Sequence, residues 1–92
     1  MTKHILWSIE FSDTAQKQFM KLDHPLQIRI ENFLKFRLAT LPEPKILGKQ
    51  LTGKWSPLWR FRVGDYRIIA DILDDRLIIQ VIEIGHRREI YH

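Results

Sequence analysis

Cysteine is absent from the 92 residues, and with it go disulfide scaffolds and thiolate zinc sites. That usage suits a reducing compartment, and a cytoplasmic location is the expectation. No apolar run approaches the ~18 residues of a membrane span, so no membrane association is expected. Met1-Thr2-Lys3-His4 leads straight into a strand-like segment, and no signal peptide is expected either. His4, His24, His86 and His92 show no paired ligand spacing with acids, which argues against a metal site. Gly48, Gly53 and Gly64 match neither a phosphate-binding loop nor a dinucleotide fingerprint, and no cofactor is expected. Ser56 lacks the residues of a nucleophile elbow, and Glu10, Glu31 and Glu43 form no recognisable catalytic pair. Internal repeats, low-complexity segments and interdomain linkers are also missing.

What is present is an ordinary globular composition, 45% hydrophobic and 28% charged. Two domains would each be too small to bury a core, so residues 1–92 read as one. The formal charge of +4 is unevenly placed. Between positions 45 and 67 stand Lys45, Lys49, Lys54, Arg60, Arg62 and Arg67 against a single acid, Asp65. The rest of the chain is therefore near neutral, and the basic field points to an anionic partner such as nucleic acid.

The segment from Ile5 to Phe11 alternates at Trp7, Ile9 and Phe11 and reads as a strand. Ser12 or Asp13 then caps a helix on which Ala15, Phe19 and Leu22 recur at helical spacing. Asp23-His24-Pro25 breaks the chain, and Pro25 suits the first turn of a second helix. Leu26, Ile30, Phe33, Leu34 and Leu38 line one side of it, with Glu31 and Lys35 as an i,i+4 pair. Leu41-Pro42-Glu43-Pro44 ends that helix. Positions 45–57 lack a sustained period and read as a loop, tethered by Ile46-Leu47 or Leu51. Trp59 to Val63 and Tyr66 to Leu73 read as strands joined by Gly64-Asp65, where glycine first suits a type II′ turn. Asp74-Asp75 makes a second tight turn, and Leu77 to Ile84 is a last strand ending at Gly85. The expected fold is α+β: β-α-α-β-β-β, an antiparallel sheet with both N-terminal helices on one face.

A two-residue turn puts Val63 opposite Tyr66 and Arg62 opposite Arg67, and Arg60 joins them by the strand period of two. Each arginine alone reads as a side chain snorkelling into solvent. Three on one face, beside a basic loop, read as an anion site. After the last strand come His86, Arg87, Arg88 and Tyr91; a phenol among cations has its anionic form favoured. Trp55, Trp59 and Tyr66 beside basic residues suit either base stacking or the core.

These segments together carry a resemblance: Leu51-x-Gly53, the run from Trp59 to Ile69, and Ile84-Gly85-His86-Arg87-Arg88-Glu89-Ile90-Tyr91. They resemble the RelE branch of the RelE/ParE toxin superfamily, and length and element order agree along nearly the whole chain. The resemblance implies a toxin of a type II toxin–antitoxin pair, held inactive by a RelB-like antitoxin. It further implies an endoribonuclease that cuts messenger RNA in the A site of the ribosomal small subunit. The family's arginine of the Tyr-Arg pair falls on Arg67, its post-glycine arginine on Arg87 and its terminal tyrosine on Tyr91. A strand lysine or arginine falls on Arg60. A second family lysine falls on Leu58, so Lys54 or Lys49 has to substitute for it. Glu43 lies in a Pro-Glu-Pro context that some relatives use for a base, although its spacing to Gly53 differs.

Metal-free RNA cleavage needs a base for the 2′-OH, cations for the phosphorane and an acid for the leaving oxygen. The expected catalytic set is Arg60, Arg67 and Arg87 on the phosphate, Tyr91 as base, and Lys54 or His86 as acid. Lys45, Lys49, Arg62, Arg88 and Trp55 are the expected RNA-binding residues. Two other functions fit the same residues: a ParE-like inhibitor of DNA gyrase and a non-catalytic RNA-binding module.

Overall fold

Ser12 joins the first strand to the first helix by doing two jobs at once. Its hydroxyl accepts the Ala15 N–H at 3.0 Å as the helix N-cap and donates to the Ile82 carbonyl at 2.7 Å. Of the two capping residues the sequence allows, Ser12 therefore holds the cap, and it pins the helix to the sheet. The structure, a computed structural model, describes residues 4–89. It contains β1 (Ser8–Phe11), α1 (Asp13–Met20), α2 (His24–Asn32), β2 (Lys49–Gln50), β3 (Trp59–Val63), β4 (Tyr66–Leu73) and β5 (Ile78–His86). Asp23 caps α2 by accepting the Leu26 N–H at 3.1 Å, and Pro25 sits in its first turn. A π-helical turn, Phe33–Leu38, continues α2 and buries both Leu34 and Leu38.

The five strands form one sheet in the order β1-β5-β4-β3-β2. The expected antiparallel meander is there, and β1 adds itself to β5 in parallel, Ser8 beside Ile78 and Phe11 beside Val81. A parallel neighbour needs a long crossover, and α1, α2 and the two hairpins supply it. Phe61, Val63, Ile68, Ala70, Ile72, Ile79, Val81 and Ile84 meet Ala15, Ile30, Leu34 and Leu38 in a core on one face of the sheet. Both helices lie on that face. Phe61, fully buried, is among the core's largest side chains and lies 6.4 Å from the Phe33 ring.

Four local expectations shift. The first strand is shorter than Ile5 to Phe11, because the Leu6 and Trp7 N–H groups donate to Ala39 instead of the sheet. The 45–57 loop contains two 3₁₀ turns and β2, a strand too short to show a period. Leu47 packs against the core as its tether, while Ile46 is 71% exposed. The second tight turn is longer than Asp74-Asp75: Leu73 pairs with Ile78, and Leu77 takes φ 54°, so β5 starts at Ile78 and runs on to His86. A bulge between Ile69 and Ala70 also offsets β5, where Glu83 pairs with Ile69 but Val81 with Ala70. Gln18 of α1 accepts the Ile84 N–H at 2.6 Å next to this bulge.

Candidate nucleic-acid interface

The type II′ turn forms as the sequence predicts. Gly64 has φ 59°, and among the described residues Leu77 is the one non-glycine at positive φ, so Asp65 keeps the negative φ of that turn. Val63 therefore pairs with Tyr66 and Arg62 with Arg67. Val63 is buried in the core, so the alternating Arg60, Arg62 and Arg67 stand on the face away from the helices. The short β2 adds a second opposed pair, Lys49 against Arg60. Arg60 and Arg62, two residues apart on β3, thus each face a cation, one on β2 and the other on β4. Such pairs destabilise a sheet unless something anionic lies over them.

Arg67 is half-buried and faces Gly85 on β5, which has no side chain to crowd the guanidinium. Beyond the strand end, the Arg87 N–H donates to the Asp65 carbonyl at 2.8 Å. The Arg87 guanidinium lies 4.0 Å from the Asp65 carboxylate, with both side chains more than half exposed. Backbone and side chain together hold Arg87 at the turn, at the Arg62–Arg67 end of the sheet. Arg60, Arg62, Arg67 and Arg87, with Lys49, are the predicted residues that the fold gathers.

Other predicted residues lie elsewhere. The Lys45 ammonium donates to Asp74 at 2.8 Å and sits 5.7 Å from the centre of the Trp59 ring, at the opposite end of β3. That hydrogen bond to Asp74 raises the Lys45 pKa above its usual 10.5. Lys45 therefore ties the loop to the β4–β5 turn. Lys54 is exposed and Trp55 half-buried in the Gly53–Trp55 turn, in a loop closed by the Leu51 N–H on the Leu58 carbonyl at 2.9 Å. Glu43 is exposed just before the Pro44–Leu47 turn, and Pro44 itself is buried.

His86 departs from the expected arrangement. One further residue of strand puts it across from Tyr66, edge to face at 5.5 Å, on the helix side of the sheet. Its Nδ1 accepts the Arg88 N–H at 3.2 Å, and Arg88 is exposed beyond it. The alternation that brings Arg67 to one face thus sends His86 to the other. Tyr91, with Ile90 and His92, lies outside the described residues.

A cleft of about 620 Å³ opens beside the part of the β3 edge that β2 leaves uncovered. Arg29, Asn32, Phe33 and Arg37 of α2 and its π turn form one wall; Lys49, Arg60 and Arg62 are on the other. No acidic residue is among its described lining. Arg29 and Arg37 are functional candidates that the sequence reading passes over. Their signal is the i, i+3, i+4, i+8 spacing of Arg29, Asn32, Phe33 and Arg37, a basic stripe beside the apolar one. Among the described residues no group of three His, Cys, Asp or Glu side chains converges as metal ligands.

A family model described as the ParE toxin of the type II toxin-antitoxin system parDE matches residues 9–91. A RelE-like toxin protein of Escherichia coli is 28% identical over 82 residues, spanning 88% of this chain and 83% of that protein. The fold is that of solved toxins. A chain of the RelBE2 toxin-antitoxin complex of Mycobacterium tuberculosis superposes with TM-score 0.82 at 24% identity, covering 95% of this chain and 98% of that one. A chain of the intact E. coli RelBE complex gives 0.70 at 18% identity, covering 87% and 95%. A chain of the archaeal RelE-RelB complex of Pyrococcus horikoshii gives 0.69 at 22% identity, covering 89% and 96%. With the family model extending over nearly the whole chain, this protein belongs to the RelE/ParE family of type II toxin–antitoxin toxins.

Proposed function

We propose that this toxin is a ribosome-dependent endoribonuclease that cleaves messenger RNA in the ribosomal A site and so arrests translation in the cytoplasm. The observation that carries the reading is the double rung of opposed cations, Lys49–Arg60 and Arg62–Arg67, on one sheet face. A phosphodiester laid across it removes the like-charge repulsion and receives several charge-assisted hydrogen bonds. The charge that grows on the phosphorane during 2′-OH attack falls on the same guanidinium groups, which never lose their proton. In this mechanism Arg60, Arg67 and Arg87 hold the phosphate. Tyr91 takes the 2′-OH proton, and the P–O5′ bond breaks as a lysine of the preceding loop, Lys49 beside Arg60 or Lys54 farther along, protonates the leaving oxygen, giving a 2′,3′-cyclic phosphate and a 5′-OH end. His86, on the other side of the sheet, is the less suitable acid. No step draws on a metal.

A cognate RelB-like antitoxin of acidic character neutralises the toxin by covering this face. The structural relatives named above are toxin–antitoxin complexes, which supports a partner of that kind. A second reading, inhibition of DNA gyrase, is favoured by the ParE description of the matching family model. Adding the purified toxin to translating ribosomes and mapping new 5′ ends, with a gyrase supercoiling assay in parallel, separates the two. Cuts within A-site codons with unimpaired supercoiling are expected. Blocked supercoiling without cuts overturns the proposal, and salt-sensitive RNA binding without product reduces the protein to a binding module.

A further inference from the structure

We infer that the cleft between α2 and β3 is a second phosphate-binding subsite, which holds the RNA backbone beside the nucleotide pair at the sheet face. The inference rests on the RNA reading for its ligand and on the cleft for its place. Five cations line that cleft, Arg29, Arg37, Lys49, Arg60 and Arg62, and no acidic residue is among its described lining. Arg29, Arg37, Lys49 and Arg62 make no ion pair with any described residue. Arg29 and Arg37 lie eight residues apart, one on α2 and one on the π turn that continues it, about two helical turns from each other, so their wall accommodates more than one phosphate.

Arg29 is also placed by the turn. Its guanidinium nitrogen Nη1 lies 3.0 Å from where a Cβ on Gly64 would stand. A glycine takes the turn's φ of 59° without strain, and it leaves the Arg29 tip its place beside the turn. The Arg29 guanidinium thus lies beside the turn that sets the Arg62–Arg67 hairpin.

The cleft shares Lys49, Arg60 and Arg62 with the cationic sheet face, because these residues stand at the β3 edge that β2 covers only at Trp59 and Arg60. A polyanion that leaves the sheet face over the uncovered edge at Arg62 and Val63 meets Arg29 and Arg37 next. This continuity favours a single RNA strand over an acidic peptide as the occupant. Binding needs length: a dinucleotide fills the sheet face alone, and a longer strand reaches α2.

The test measures binding of single-stranded RNAs of 3, 6 and 12 nucleotides to the full chain at several salt concentrations, with a glutamate-rich peptide as competitor. Arg29→Gln/Arg37→Gln is compared with wild type and with Lys17→Gln/Lys21→Gln, which removes the same charge from α1. The cleft variant is expected to lose affinity for the 12-mer and keep it for the 3-mer. Two lost phosphate contacts lower the salt slope by about 1.4, so wild-type affinity falls about sevenfold more than the variant's over a fourfold rise in salt. The α1 variant keeps the wild-type slope. Equal 12-mer binding and slope in wild type and cleft variant overturns the inference, as does a loss confined to the peptide. Because the readout is binding, absence of cleavage with the expected length dependence overturns the nuclease reading and leaves the subsite standing.

Discussion

Arg62 faces Arg67 directly across the β3–β4 hairpin, two residues along β3 from Arg60, which faces Lys49 on β2. Packing does not demand this arrangement, since Arg62 is exposed and the core lies on the other side of the sheet. The hairpin carries repulsion that apolar or β-branched residues would avoid. Its geometry makes sense with an anion bound, and that gives the first prediction.

Arg62→Thr should stabilise the free toxin while weakening its hold on RNA. Removing a like-charge pair from a sheet rung is worth about 0.2–1 kcal/mol. For a chain of this size that raises the melting temperature by up to about 5 °C. Thermal unfolding by circular dichroism checks the first effect. RNA binding against salt checks the second, with an expected fall in slope of about 0.7. A variant that is less stable and binds as well as wild type would contradict both.

Gly48→Ala should damage the core. A Cβ there would stand 2.6 Å from Cε1 of the fully buried Phe61 ring, so ring or backbone would have to shift. Overpacking of this kind costs about 1–3 kcal/mol. Phe61→Leu in the same chain should return part of that loss, so urea midpoints of the two single variants and the double variant should be non-additive.

The Lys45–Asp74 pair should support the fold and not the chemistry. Its hydrogen bond raises the folded pKa of Lys45, so the contribution is fully present below the unfolded value of 10.5. It disappears as pH climbs through the higher folded value. The pair is partly exposed, so the effect is small. The melting temperatures of wild type and Asp74→Asn should differ by a constant amount from pH 7 to about pH 10, then converge above it. Lys45→Ala should spare cleavage more than Lys49→Ala does, measured as product formed on ribosomes.

The hairpin was legible in the sequence because Gly64-Asp65 fixes the register, and register fixes which side chains share a face. From that one turn the Arg62–Arg67 opposition and its alignment with Arg60 follow. The helices were legible for a similar reason: Asp23 and Pro25 mark a start, and Leu26, Ile30 and Leu34 mark an inner side. Long-range pairings were not. Nothing local in Ser8–Phe11 announces a parallel partner 70 residues away, and Lys49–Gln50 is too short to carry a period. His86 shows how sensitive a face is to one residue, because β5 runs on past Gly85 and turns it from the arginines. Arg29 and Arg37 went unread since a helix's basic side looks like any solvated side until the β3 edge is set opposite it.

The central claim is that the cationic sheet face stabilises a phosphate attacked by its own neighbouring 2′-OH. It is tested most directly on ribosomes programmed with a messenger whose A-site codon carries a single 2′-deoxynucleotide at the cleaved step. Wild-type toxin should cut the all-ribose codon to a 2′,3′-cyclic phosphate and leave the deoxy codon intact, while folded Arg67→Ala leaves both intact. Cleavage of the deoxy codon, or undiminished cleavage of the ribose codon by Arg67→Ala, would contradict the account.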